Sequence, residues 1–206
     1  MDNNIGFGFK LFKVKTTRKG ELFPLYVNAD KAMPMNEWIK AECGEILPNG
    51  KVKAKLGNGL AVRPGFHIND GIPYVTHIGK KDKDGNIAFL PEDLVWCEVS
   101  YSTKVDYQPL ANQNGMNKDG KIIPVKACLK EIPVDGFYRF KTNPNMTGAW
   151  IIAGEMKINR ILSDEEVYDL CKANGYEALP RYGGDFNSTK YGFVDMIDEY
   201  KKEKVG

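Results

Sequence analysis

The chain has no apolar run near the roughly 18 residues that a membrane helix needs, so no spanning segment is expected. Neither sign of charge dominates: 29 basic and 27 acidic side chains leave a net charge of +2. That balance gives no global electrostatic case for nucleic acid or an anionic membrane surface. The first residues lack a basic stretch followed by an apolar one, so no secretory leader is expected and the cytosol is the expected compartment. Cys43, Cys97, Cys128 and Cys171 are scattered, with no C-x-x-C pair. A thiolate zinc centre would need clustered ligands, so four reduced thiols and no metal are expected. P-loop, G-x-S-x-G and H-E-x-x-H signatures are absent, as is a G-x-G-x-x-G opening a helix. Gly6-Phe-Gly8 is too short to cradle a phosphate. Asp82 and Asp84 start like a calcium loop but lack its closing glutamate, and a solvated hairpin tip fits them better.

What remains is a chain of 206 residues, 42% hydrophobic and 27% charged, ordinary for a soluble domain. Its pattern is strand-rich. Phe7 to Lys15 alternates apolar and polar residues, and Leu22 to Val27 is a second extended run that Pro24 places at an edge. Segment 36–42 fits a helical turn or a strand. Strands are predicted over 60–68 (bent at Pro64-Gly65), 94–101, 136–141 and 149–162. Val95, Cys97, Val99 and Tyr101 share one face of the second of these, and Leu94, Trp96, Glu98 and Ser100 share the other. The polar stretch 112–120 reads as a surface loop. Ser163 with Glu166 three residues on is a capping box opening a helix that Asn174-Gly175 ends. A last amphipathic helix is predicted from about Tyr191 to Lys204. The class is α+β, a core of antiparallel or mixed sheet with two late helices. It is read as a single domain over residues 1–180 with a helical extension over 181–206.

The only two histidines, His67 and His77, lie in segment 61–79 with Arg63, Asp70, Tyr74, three glycines and two prolines. Histidine is the usual proton carrier or metal ligand near neutral pH. Pro64-Gly65 forces a bend that would set Arg63 and His67 in defined places. The arginine is suited to a phosphate or carboxylate, and the histidine to a ribose or a proton. Both equally suit a surface ion pair and a loop carbonyl. Segment 142–150 is the second candidate: Asn143, Asn145 and Thr147 offer neutral donors and acceptors, and Trp150 a flat face. The same residues also fit a turn capped by its asparagines, with Trp150 in the core. Glu155 stands either at a hairpin turn signalled by Gly154 or inward as a functional acid. Glu98 is a weaker acidic candidate.

Several phrases, Leu22-Phe-Pro-Leu-Tyr-Val27, Trp38-Ile-Lys-Ala-Glu42, Arg63-Pro-Gly-Phe-His67, 73–78 and 138–150, resemble a group of uncharacterised bacteriophage and mobile-element proteins. In that group the segment also looks like a module of large phage polypeptides. The resemblance covers roughly residues 9 to 175 and implies action in the cytosol of an infected bacterium. A looser resemblance is to ADP-ribosyltransferases. Phe66-His67 is similar to their first element, Tyr74 to their aromatic, and Ser100-Tyr-Ser-Thr103 to their serine element. Trp150 stands where their catalytic glutamate is expected, and Glu155 is the nearby acid. This resemblance implies NAD or a related nucleotide, with His67, Tyr74 and Glu155 as catalytic residues. Arg63, His77, Asn143, Asn145 and Trp150 would bind the ligand, in a transferase or in a member that binds without turnover. Two alternatives stand beside it. One is a non-enzymatic protein that inhibits or recruits a bacterial defence or replication component. The other is a metal-dependent hydrolase or nuclease using His67, His77, Asp70 and Glu98.

Overall fold

A computed structural model describes residues 4–194 except 56, 76, 77, 82, 86, 87 and 147. The strands are β1 (Ile5–Lys15), β2 (Arg18–Phe23), β3 (Trp38–Lys40), β4 (Phe66–Asn69), β5 (Lys80–Lys81) and β6 (Ala88–Phe89). They continue with β7 (Leu94–Ser102), β8 (Val105–Asp106), β9 (Gly136–Phe140), β10 (Trp150–Ala153) and β11 (Glu155–Ile161). The helices are α1 (Gln108–Gly115), α2 (Asp164–Ala173) and α3 (Ser188–Tyr191). The main sheet runs β3-β11-β7-β1-β4-β10-β9-β8, with β2 added on β1. Its pairings are antiparallel except β8 with β9, so the class is α+β with a mixed sheet. No helix among the described residues is long and apolar enough to cross a membrane.

The sheet curls on itself. Only Gly154 separates β10 from β11, yet the two strands lie four places apart in the sheet order. Gly154 donates to the Gly136 carbonyl (3.0 Å) and accepts from the Ala41 amide (2.8 Å). A Cβ there would strike the Pro133 carbonyl, so only glycine fits. The hairpin turn that Gly154 suggests is therefore a corner between two parts of the sheet, and the predicted strand 149–162 divides at it.

Inside the curl lies the main core, with Phe12 and Val14 of β1, Val95, Cys97, Val99 and Tyr101 of β7, Ile68, Ile151, Met156 and Ile158. Val95, Cys97, Val99 and Tyr101 share this face of β7, as their alternation predicts. The opposite face is covered in part. Leu94 and Trp96 pack with Leu11, Val167 and Cys171 under α2. Tyr138, Phe140 and Ile152 pack with Ala111 of α1 and Leu129. With apolar cover on both faces, the alternation of a strand no longer separates core from solvent.

Several expectations change in detail. Residues 61–65 form no strand: Pro64 has no N–H to give a ladder and Gly65 sits at φ +129°, so β4 begins at Phe66. Half of the polar stretch 112–120 is helical, because Pro109 opens α1 and Ala111 anchors it in the core. Ser163 caps α2, accepting from the Glu166 amide at 3.1 Å. The reciprocal half of the capping box is absent. The Glu166 carboxylate turns to Arg160, at 2.6 and 2.8 Å. Gly192, at φ +80°, closes α3 at Tyr191, and the chain is helical again at Val194; the rest of the helix predicted to Lys204 lies outside the described residues. Residues 181–193 are tied to the sheet. The Arg181 guanidinium pairs with Asp164 at 2.7 Å and donates to the Leu94 carbonyl at 2.6 Å. Phe193 joins the main core.

Candidate functional site

The bend at Pro64-Gly65 lays Arg63 across the outer face of β9 and β10. Its guanidinium lies 4.7 Å from the centre of the Phe140 ring. Gly65 is required here, because a side chain would meet Ile152 and the backbone is already left-handed. On β4, His67 sits opposite Ile152, two pairs along from Asn69 opposite Trp150 and on the same face. Its ring meets Trp150 edge-on, with centroids 6.1 Å apart. Its Nδ1 lies 3.3 Å from the Gly65 carbonyl. A carbonyl only accepts, so this contact selects the Nδ1–H tautomer and leaves Nε2 as an acceptor.

The residue that sequence analysis passes over is Lys10. Its neighbours on alternate positions of β1 are Gly8 and Phe12, and Phe12 belongs to the core. β1 and β4 pair only at Phe9 and Asn69. Beyond that pair the ladder opens, and the Lys10 ammonium donates to the free His67 carbonyl at 2.8 Å. Neither Lys10 nor Arg63 forms an ion pair with a carboxylate among the described residues. Burial pulls the Lys10 amine down to about 8. His67 falls to about 4, first through burial, then through the charge of Lys10, with the Gly65 hydrogen bond opposing and Arg63 adding to the fall. The imidazole is therefore neutral at pH 7, between two cations and beside an indole. The sequence clue to Lys10 was its sharing a strand face with Phe12 and Val14.

The other predicted site residues lie elsewhere. Glu155 stands on β11 opposite Lys40, across the Gly154 corner. Its carboxyl is raised by burial and by a hydrogen bond with Asp135, against the pull of Lys104 and Lys40. Neither Arg63 nor His67 is among the groups acting on it. Tyr74 packs on Tyr176, centroids 5.1 Å apart, and lines a crevice of about 10 Å³ with Trp96 and Val167. Asn143 caps its own turn, its side chain accepting from the Asn145 amide at 3.0 Å, and both are exposed. Asp70 is held by Arg139 at 2.7 Å. Glu98 is held by Arg160 at 3.1 Å and Asn159 at 3.2 Å. Ser100 bonds to Asn159, and Ser102 to the Asp135 carbonyl. His77 and Thr147 lie outside the described residues. No group of three or more His, Cys, Asp or Glu able to hold a metal occurs among the described residues. A larger cavity, about 130 Å³, lies between Glu92, Arg181 and Lys190, away from Arg63 and His67.

Arg63, His67, Trp150 and Lys10 thus converge, while Glu155, Tyr74, Asn143 and Asn145 do not join them. The convergent set offers positive charge, a hydrogen-bond acceptor and a flat apolar ring. It holds no acid to share a proton with the histidine. Comparison with protein-family models, with curated proteins and with solved structures gives no match, so the site is read from its own chemistry.

Proposed function

We propose that the protein binds NAD or a related nucleotide on the half-buried surface formed by Arg63, His67 and Trp150, without turning it over. The observation that carries this is the pair of partly buried cations, Lys10 and Arg63, that no described carboxylate neutralises. A charge kept partly out of water without a counter-ion costs stability. Such groups are retained where a ligand supplies the missing anion. Arg63 is free to hold phosphate oxygens bidentately. Neutral His67 accepts from a ribose hydroxyl through Nε2, and Trp150 lends its face to a base or nicotinamide ring. Transfer chemistry is left out because the candidate acids are engaged elsewhere, Glu155 with Asp135 and Glu98 with Arg160. We place this binding in the cytosol of an infected bacterium, as the resemblance to bacteriophage proteins implies.

Calorimetric titration of NAD, ADP-ribose and AMP into the purified chain tests the proposal. Binding is expected to weaken by about tenfold or more in Arg63→Ala, the loss of one charge-assisted contact worth ~1.5–3 kcal/mol. NAD should be recovered intact after incubation. A folded wild type that binds none of the three would sink the proposal and put recognition of a host protein in its place.

A further inference from the structure

On the outer face of β3, β11, β7 and β1, beyond the reach of α2, large apolar side chains meet solvent. Phe7 is 64% exposed, Trp38 44% and Ile5 37%. The register aligns them. Trp38 pairs with Lys157, Lys157 with Ser100, and Ser100 with Phe7, so one row crosses four strands. Strand spacing puts its ends about 14 Å apart. The floor is low, because buried Ser100 lies between the lysine and the phenylalanine. The adjacent row holds Lys40 beside Glu155, and Ile5 beside Ser102. Lys157 reaches over the Trp38 ring, 6.0 Å from its centre. Lys104 and Asp135 complete the charges around Glu155.

Exposed aromatics between lysines on a sheet would suit a single-stranded nucleic acid. The carboxyl groups of Glu155 and Asp135 stand among those lysines and oppose a phosphate chain. A surface with apolar residues and both signs of charge complements a protein, and first of all itself. A two-fold axis sets each residue of such a patch against another part of the same patch. We propose that this face is a two-fold interface between two copies of this chain. Phe7, Ile5 and Trp38 are buried between them, and Lys40, Lys104 and Lys157 face the partner's Glu155 and the partner's Asp135. The inference is independent of the nucleotide proposal, since it uses the opposite part of the sheet and none of the same residues.

Sedimentation equilibrium of the full chain over a concentration series tests it. Wild type is expected to show a monomer–dimer equilibrium, and Phe7→Glu to weaken it by at least about tenfold with an unchanged circular dichroism spectrum. Glu155→Lys and Lys157→Glu should each be more monomeric than wild type. Mixed in equal amounts, these two should form a heterodimer, a rescue that general destabilisation cannot give. A wild type that stays monomeric at every concentration overturns the inference. So does a dimer untouched by Phe7→Glu, or a charge-swapped pair that fails to associate while both variants are folded.

Discussion

Acidification should destabilise this protein through His67 before most carboxylates titrate. An imidazole in water takes a proton near pH 6.5, whereas His67 resists until about 4 because it is buried beside Lys10. The native state therefore binds fewer protons than the unfolded chain, and its stability falls as pH falls. The contribution is nil above about pH 7. It reaches about 2 kcal/mol of destabilisation near pH 5 and about 3 kcal/mol near pH 4. The measurement is urea unfolding of wild type and His67→Gln between about pH 7 and pH 5. Glutamine cannot protonate, so the difference between the two proteins isolates this one ring from the carboxylates. The difference should move in favour of the variant by about 2 kcal/mol as the pH drops to about 5. With only two histidines, comparison with the variant also assigns the His67 resonance in a proton NMR titration. A His67 ring titrating near its free value, or an unfolding difference that ignores pH, would refute the burial and cation reasoning together.

Lys10→Met should stabilise the fold at neutral pH by about 1–3 kcal/mol, since a charge that burial disfavours is replaced by an apolar chain of similar length. In the same variant the pKa of His67 should rise and nucleotide binding should weaken; a loss of stability would show that the amine is well solvated. Arg160→Met strands the Glu166 carboxylate, whose side chain is 5% exposed while that of Arg160 is 37% exposed. Water reaching the arginine lowers the cost below that of a fully buried pair, to about 2–3 kcal/mol by thermal or urea unfolding. Glu166→Gln in the same background should recover part of it, and strictly additive effects would show that the two residues do not act as a pair.

The sequence made the strands with one clean face readable. Val95, Cys97, Val99 and Tyr101 turn inward as their alternation requires, and Ser163 caps its helix as its chemistry requires. It hid what depends on distant contacts. Alternation alone does not say which face of β1 the curl of the sheet encloses, so Lys10 reads as a surface lysine until β4 is placed beside it. Gly154 reads as a turn because a glycine between two apolar runs marks a hairpin more often than a corner. The polar composition of α1 conceals a helix that one buried alanine and an opening proline suffice to anchor. At the candidate site, the approach of Arg63 and His67 followed from two adjacent residues, Pro64 and Gly65. The separation of Glu155 from them could not be read locally, because one glycine carries the chain across the sheet.

The position of β1 has a consequence for how the chain is made. β1 is an inner strand of the finished sheet, and its longest partnership, with β7, joins Ile5–Lys13 to Leu94–Ser102. Until about ninety further residues have been translated, the ladder and apolar faces of β1 have only β2 and one pair with β4 to answer them. β11, which flanks β7 on its other side, comes later still. A sheet of such high contact order assembles late and slowly. In the interval Phe7, Phe9, Leu11 and Phe12 form a β-prone apolar segment, and Lys10, Lys13 and Lys15 are interleaved with them. Those charges oppose pairing between nascent chains, the role of gatekeepers beside an unavoidable hydrophobic strand.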